Sequence, residues 1–450
     1  MGSTSQQGDR EQVAISVDNE IGHLRRVLVH RPGAEILQMT QHDLERLLFD
    51  DILSAPEAAR EHDLLVEILQ AGGAETLEVL DLLTSALATA PAEATRTLLD
   101  RVCALGGAPE LAELIADWEP ERLARALVEG LHWDDLADAP LSLARVRNRL
   151  QGVTRRALRP VPNLMFMRDP CMSVHDHFVV GRMARSARAR EPLLVSFALE
   201  HGAPIGAEAL CFAADDAHLP PSLRSLEGGD LLVLSERTLM VGCSERTTPQ
   251  TIQRLADESL FAAHPGLETI YVVMMPEERS VMHLDTILTQ VDRDLFIGHE
   301  PLMVGSRDRP GSPVARLTRD RPPEALSRAS VLDVLRDEMG AQTKLVPCGG
   351  DEPLHQEREQ WTDGANAVCV SPGKIILYSR NRRTIAALAE HGFEEIRMSV
   401  VLPADERKEL LATGMERDRA VFSFSGSELS RARGGGRCLT MPLAREGVPA

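Results

Sequence analysis

CMSVHDHFVVGRM (171–183), DLLVLSERTLMVG (230–242), DTILTQVDRDLFIG (285–298) and NAVCVSPGKIILYSR (366–380) are one kind of segment written four times. Each holds two apolar runs around a polar centre: His-Asp, Ser-Glu-Arg, Asp-Arg-Asp and Ser-Pro-Gly-Lys. Turn formers between apolar runs predict β-hairpins. Behind the second hairpin come a helical pattern, PQTIQRLADESLFAAH, and a strand pattern, ETIYVVMMP. Behind the fourth come TIAALAEHGF and EEIRMSVVL. The third is followed by a Pro/Arg-rich loop at 305–323, then PEALSRASVLDVLRDEMG and TKLVPCG. The helix behind the first, EPLLVSFALEHG, is less clear. Four unevenly spaced ββαβ units, with one more strand at 25–31 (RRVLVHR) closed by Pro32-Gly33, predict a pseudo-repeated α/β fold. Repeats bring equivalent loop ends to a common centre, where polar residues from distant sequence meet.

Between the first strand and the first hairpin the texture changes. From about 40 to 150 the chain is rich in Leu, Ala, Glu and Arg and poor in β-branched residues. HDLERLLFDDIL, EAAREHDLLVEILQAGG, TSALATAPAEATRTLLDRVCALGG and ERLARALVEGL carry apolar residues at helical spacing. Gly72-Gly73, Gly106-Gly107 and Pro91 mark breaks, so 40–150 reads as a helical module of four to six helices. Residues 1–12 (MGSTSQQGDREQ) read as a disordered tail, with no apolar core for a secretory signal.

Composition excludes several classes. The net charge is −19, from 68 acidic and 49 basic residues, so the surface repels nucleic acid and anionic membranes. No apolar run approaches the ~18 residues of a membrane span. Seven cysteines lie scattered without CxxC spacing, which argues against a disulfide framework and for a reducing cytoplasm.

The most unusual cysteine is Cys438, in SRARGGGRCLTMPL. The glycines allow close approach of backbone to a ligand. Arg431, Arg433 and Arg437 put positive charge nearby, which favours thiolate. Other polar motifs recur where hairpins begin: PNLMFMRDP (162–170), EGGD (227–230) and HLDT (283–286). If HLDT is extended, His283 and Asp285 share a face. Each motif alone is weak, since Asp-Pro and EGGD are common turns. Together they supply a thiol, an imidazole, several carboxylates and arginines. Cys and His make a nucleophile with a proton shuttle. The carboxylates exceed what amide hydrolysis needs and suit a cationic guanidinium, which matches carboxylates with paired hydrogen bonds. His175-x-His177 has metal-ligand spacing, but it occupies a hairpin turn and no third ligand is evident, while zinc sites use about three or four protein ligands. No metal is therefore expected.

In these motifs the chain resembles the arginine deiminase family, within the superfamily of guanidino-group-modifying enzymes. The resemblance runs in order through EIGHLRRVLVHRPG (20–33), LLFDDILSAPEAAREHD (47–63), PNLMFMRDP, EGGD, CSERTTPQ, HLDT, REQWTDGANAVCVSPG (358–373) and SELSRARGGGRCLTMPL. It implies a pentein-like fold, a pseudo-fivefold ββαβ propeller over 13–450, interrupted by the helical insertion at 40–150. It implies hydrolysis of free L-arginine to L-citrulline and ammonia, without a cofactor. Cys438 resembles the nucleophile, His283 the general acid/base, Asp169 and Asp285 the pair gripping the guanidinium, and Glu227 the carboxylate bridging His283 and substrate. Asn163, Phe166, Arg188, Asp230, Arg246 and Arg433 resemble substrate-binding or supporting positions. Met167 stands where Thr is common in the family, Gly436 where Pro is usual, and Ala365 where a polar residue is common. Amidino transfer, hydrolysis of methylated arginine and a non-catalytic arginine-binding protein are the competing readings. Homo-oligomerisation stays open.

Overall fold

In each hairpin the two apolar runs pair antiparallel. Cys171–Val174 pairs with His177–Val180, Leu231–Ser235 with Thr238–Cys243, Leu288–Asp292 with Leu295–Gly298, and Val368–Ser371 with Lys374–Tyr378. The second strand of each then takes a parallel neighbour: Ala209–Leu210, Thr269–Met274, Lys344–Pro347 and Ala420–Phe424 respectively. A parallel neighbour requires a crossover, and helices supply it. Glu191–His201, Pro249–Leu255 and Val331–Met339 serve the first three units. Arg382–Ala389 and Ala404–Glu416 lie in the fourth.

The two ends of the chain build one more unit of this kind. Leu24–Val29 pairs antiparallel with Met441–Arg445 and parallel with Glu75–Glu78, with helix Ala55–Ala71 between. The chain that follows Cys438 is thereby fixed to the first strand. The computed structural model describes residues 14–136, 156–202, 223–305 and 310–448, together with positions 143, 146, 205, 209 and 210. Among these residues the fold is mixed α/β, with five sheets of three or more strands and one two-stranded pair, Leu131–His132 with Arg156–Leu158. The expected tail at 1–12 lies outside the described residues, as does most of 137–155.

The strand expected in EEIRMSVVL is present as Glu394–Arg397, with Ala420–Phe424 between it and the fourth hairpin. AVFSF is buried at every position and takes the interior place, whereas EEIR is exposed at three of four positions and takes the edge. Two local expectations are corrected. The loop at 305–323 contains a strand, Val314–Thr318, paired antiparallel with Thr269–Met274. The stretch at 40–150 contains the strand Glu75–Glu78 among its helices.

Those helices include Ala55–Ala71, Val79–Thr89, Ala92–Leu105 and Pro120–Glu129. Ala55–Ala71 starts with Pro56 in its first turn and stops at Gly72, with Ala58, Leu65, Ile68 and Leu69 buried along one face. Leu83, Ala86, Leu99, Val102 and Leu127 share one core with Leu194, Val195 and Leu199 of helix Glu191–His201, and with Leu28 and Phe178 of two sheets. At about 1.5–3 kcal/mol for each large apolar side chain buried, this contact joins the helices firmly to the sheets. No described helix is long and apolar enough to cross a membrane.

Candidate active site

Strand Met441–Arg445 anchors the chain just after Cys438, and the glycine run threads it in from the other side. A Cβ on Gly434 would come 2.3 Å from the Phe166 ring, and one on Gly435 would come 2.5 Å from the Asn366 carbonyl oxygen. Glycine is needed here for close approach. Cys438 N–H donates to Asn366 Oδ1 at 3.0 Å, and Asn366 Nδ2 donates to the Asp285 carbonyl at 3.0 Å. One side-chain amide therefore ties Cys438 to Asp285, which are distant in sequence. Arg168 N–H adds a hydrogen bond to the Cys438 carbonyl at 3.1 Å.

HLDT is not extended: Leu284–Thr286 is a tight 3-10 turn following His283. The turn sends its two functional side chains to different partners, where an extended segment would have given them one face. Asp285 Oδ2 lies 3.8 Å from Cys438 Sγ and 3.5 Å from Arg437 Nε. His283 Nε2 lies 2.9 Å from Glu227 Oε2, and its Nδ1 lies 3.6 Å from Asp169 Oδ1. EGGD explains how the imidazole fits, since a Cβ on Gly229 would be 2.7 Å from His283 Nδ1. Asp230 lies behind the turn and holds it: Asp230 Oδ1 accepts from Leu284 N–H at 2.9 Å and Oδ2 accepts from Ser244 Oγ at 2.7 Å. It supports the site from below and does not line it.

The buried charges set the protonation states. Burial opposes charge on His283, but Asp169, the Glu227 hydrogen bond and Asp230 outweigh it and raise the imidazole to about 9. Burial also opposes charge on Glu227, yet His283, Arg246 and Arg188 hold its carboxyl down to about 2. His283 and Glu227 thus rest as an ion pair. The Cys438 thiol is pushed well above its ordinary value by burial first, then by Asp285, Asp169 and Asp363.

That overturns the expected role of the three arginines. Arg431 faces Asp51 at 3.3 Å near the surface. Arg437 is bound by the buried carboxylate of Glu20. Arg433 has left-handed backbone, φ 69°, and stacks its guanidinium 3.4 Å over the Trp361 ring. None forms an ion pair with the sulfur, and the carboxylates nearby prevail.

Asn163, Phe166, Asp169, Arg188, Arg246, His283, Arg433 and Cys438 line one cleft, which also takes in Leu48 and Arg279. Arg188 donates from Nη1 to Asp169 Oδ2 at 2.6 Å and from Nη2 to Glu191 Oε2 at 2.8 Å. Arg246 Nη1 is 3.6 Å from Glu227 Oε2. Asn163 Nδ2 donates to the Leu47 carbonyl at 2.7 Å. Asp169 Oδ1 and Arg433 Nε and Nη1 are buried without a hydrogen-bond partner, so both signs of charge keep bonding capacity to spare. Asp169, Glu227 and His283 also have the mutual spacing of metal ligands. Arg188 and Arg246 already pair with those carboxylates, and His283 is itself charged, so the donor set fits a metal ion poorly. A roomier cavity near Glu236, Gln290 and Gln342 contains neither the thiol nor the imidazole.

Some residues of the site were not singled out in the sequence. Asn366 belongs to the quoted REQWTDGANAV segment, but its function as a tie appears only in three dimensions. Asp363, in the same segment, is buried with φ 63°, and burial pushes its carboxyl up to about 7 against the pull of Arg433. Glu191 completes the buried clamp on Arg188. An acidic residue at the start of a helix is a common N-terminal feature and gave no other signal.

A family model described as Arginine deiminase matches residues 45–445. The chain belongs to the arginine deiminase family. The arginine deiminase of Bacillus cereus (strain B4264) is 31% identical over 442 residues, covering 96% of this chain and 99% of that protein. The arginine deiminase of Borrelia duttonii (strain Ly) is 30% identical over 449 residues, covering 96% and 98%. Among solved structures, an amidinotransferase from Microseira wollei in the saxitoxin biosynthetic pathway is similar in fold, at 13% identity and a TM-score of 0.50, covering 96% of this chain and 98% of that one. Membership in the arginine deiminase family accounts for the order in which the site motifs occur along the chain.

Proposed function

We propose that this protein is an arginine deiminase, hydrolysing free L-arginine to L-citrulline and ammonia through a covalent adduct on Cys438. The observation that carries this reading is the convergence of the Cys438 thiol, the His283 imidazole and the Asp169 carboxylate in one cleft, with the buried carboxylates of Glu227 and Asp285 against His283 and Cys438. Asp169 and Asp285 take the guanidinium nitrogens, and Phe166 packs the alkyl stem. Arg188, Arg246, Arg433 and Asn163, which line the cleft, are assigned to substrate binding, with an arginine clamp for the α-carboxylate. Such a clamp selects the free amino acid over a protein side chain.

The reaction then balances as follows. The incoming guanidinium lowers the thiol, whose proton leaves to solvent. Cys438 Sγ bonds to the guanidinium carbon. His283, charged at rest, gives its proton to the departing nitrogen as that C–N bond breaks and ammonia forms. The remaining thiouronium is attacked by water, which passes a proton to His283. The C–S bond breaks as the hydroxyl loses its remaining proton to solvent, citrulline is released, and the returning thiolate takes up a proton from solvent to restore the resting thiol. Glu227 keeps the imidazole oriented through both half-reactions and stabilises its charged form before the first and after the second, while the ring is neutral between them.

The fold is assigned as a pentein-like, pseudo-fivefold ββαβ propeller. The repeated hairpin-plus-parallel-strand unit supports it, including the unit made by the two chain ends. Residues 13–450 form its catalytic domain; within 40–150 the helical insertion is assigned to the part after Glu78, because Ala55–Ala71 and Glu75–Glu78 belong to the unit of the two chain ends. We place the protein in the cytoplasm, in keeping with the lack of a disulfide among the described cysteines. The test is incubation with arginine in the presence and absence of glycine, reading citrulline, ammonia and amidinated glycine. Citrulline and ammonia in equal amounts are expected in both. Amidinated glycine in place of citrulline overturns hydrolysis in favour of transfer.

A further inference from the structure

His175 and His177 offer two imidazoles in one hairpin turn, and the fold brings a third to them. The helical segment from Pro249 ends at Ala263, and His264 follows it directly. The His264 ring packs edge-on against both: its centroid is 4.6 Å from that of His175 and 5.0 Å from that of His177. Asp176 is shared between rings. Its Oδ1 lies 2.6 Å from His177 Nδ1 and 3.5 Å from His264 Nδ1. Donor atoms of Asp176, His177 and His264 all fall within 4.8 Å of one another. His175 is held in place by Asp18, 2.7 Å from its Nδ1, in a left-handed backbone conformation at φ 54°.

Two features distinguish this cluster from a satisfied surface turn. His175 and His264 are more than nine-tenths buried, and the Nε2 of each has no hydrogen-bond partner. Buried polar atoms without partners are rare in proteins and call for an explanation such as an ion. Asp176 is exposed and His177 half-buried, so an ion can reach the cluster from solvent.

We infer that Asp176, His177 and His264 form a binding site for one divalent transition-metal ion of the zinc type, with water completing the coordination and the Asp18–His175 pair as its wall. Imidazole and carboxylate donors suit zinc, and three protein ligands with an open position is one of its regular arrangements. In binding, the metal replaces the proton shared by His177 and Asp176. The site stands at the turn end of strand Cys171–Val174, while Asp169 stands before its other end. Its function is therefore a staple between the first and second hairpin units, and the cleft with Cys438 is untouched.

The test uses the untagged full chain with Cys438→Ala, so that the cleft thiol binds no zinc. Zinc is added, the excess is removed by gel filtration, and bound metal is counted with its affinity. The expected result is one equivalent of zinc, with binding weakened about tenfold or more by His177→Asn and by His264→Ala. Zinc should also raise the melting temperature of the parent and not of either variant. His177 is half-buried on the surface, so its substitution leaves the fold intact, and in a chain with Cys438 present citrulline formation should be unchanged. Failure to retain one equivalent of zinc, or equal retention by the His177→Asn chain, overturns the inference.

Discussion

The Cys438 thiol and the Asp285 carboxylate lie 3.8 Å apart, both buried, with no cation bonded to the sulfur. A carboxylate so close raises the thiol, as burial does, so the resting nucleophile is a protonated thiol. Substrate supplies the missing positive charge. In the free protein, alkylation of Cys438 by iodoacetamide is expected to be slow at pH 7 and to rise only above pH 9. Asp285→Asn should move that rise to lower pH while lowering citrulline formation by about 100-fold or more, from loss of a guanidinium partner. Rates of Cys438 alkylation against pH, read by peptide mass, check both.

Glu227 and His283 form the second prediction. His283 is charged up to about 9 in the folded protein, against 6.5 for an ordinary histidine. Its contribution to stability is therefore complete below pH 6.5 and lost as the pH rises through 9. Glu227→Gln removes one cause of the upward shift. The alkaline limb of kcat and the alkaline loss of stability should both move to lower pH. His283→Ala should lower kcat by about 10²–10⁴-fold, the ordinary worth of a general acid/base. Profiles of kcat and of the urea midpoint against pH provide the comparison.

Gly435 and Gly436 should differ sharply. A Cβ at Gly435 meets the Asn366 backbone at 2.5 Å, while one at Gly436 only touches the Val368 methyl at 3.0 Å. Gly435→Ala must displace the residue that ties Cys438 to Asp285. It is expected to cut kcat at least about tenfold, the effect of losing about 1.4 kcal/mol of transition-state stabilisation. Gly436→Ala should stay within about twofold of the parent, because a side-chain methyl yields more easily than backbone. Steady-state kinetics of the two variants side by side decides this.

Glu20 and Arg437 make a buried pair under the nucleophile loop. Burial opposes the Glu20 charge, but Arg437 holds its carboxyl down to about 2, below the ordinary 4.5. Its stabilising contribution is full above pH 4.5 and lost as the pH falls through 2. Glu20→Gln removes the hydrogen-bonded counter-charge of Arg437 and leaves it only Asp285 at 3.5 Å, and should cost about 3 kcal/mol at neutral pH. Urea unfolding at pH 7 and pH 4 measures the loss and the reduced acid dependence.

The hairpins were legible because each turn is written in turn-forming residues between two apolar runs. The unit made by the chain ends was not, since Leu24–Val29 and Met441–Arg445 are joined by no turn. Glu75–Glu78 and Val314–Thr318 escaped for local reasons: one has a single apolar residue, and the other lies in a segment dominated by Pro and Arg. Cys438 stood out for its glycine- and arginine-rich setting, while His283, Glu227, Asp169 and Asp285 were singled out through the ordered motifs that the chain shares with the arginine deiminase family. The work of Asn366 and Asp363 was hidden, because an amide tie and a buried acid depend on tertiary neighbours. The arginines beside Cys438 were misread for the same reason: charge near in sequence was consumed by Glu20, Asp51 and Trp361 in space.

Citrulline formed from L-arginine by the parent chain and by Cys438→Ala, assayed side by side, bears most directly on the proposed reaction. Steady production by the parent and none above the blank by the variant is the predicted result. A folded parent that makes no citrulline, or a Cys438→Ala chain that keeps turning over, would contradict it.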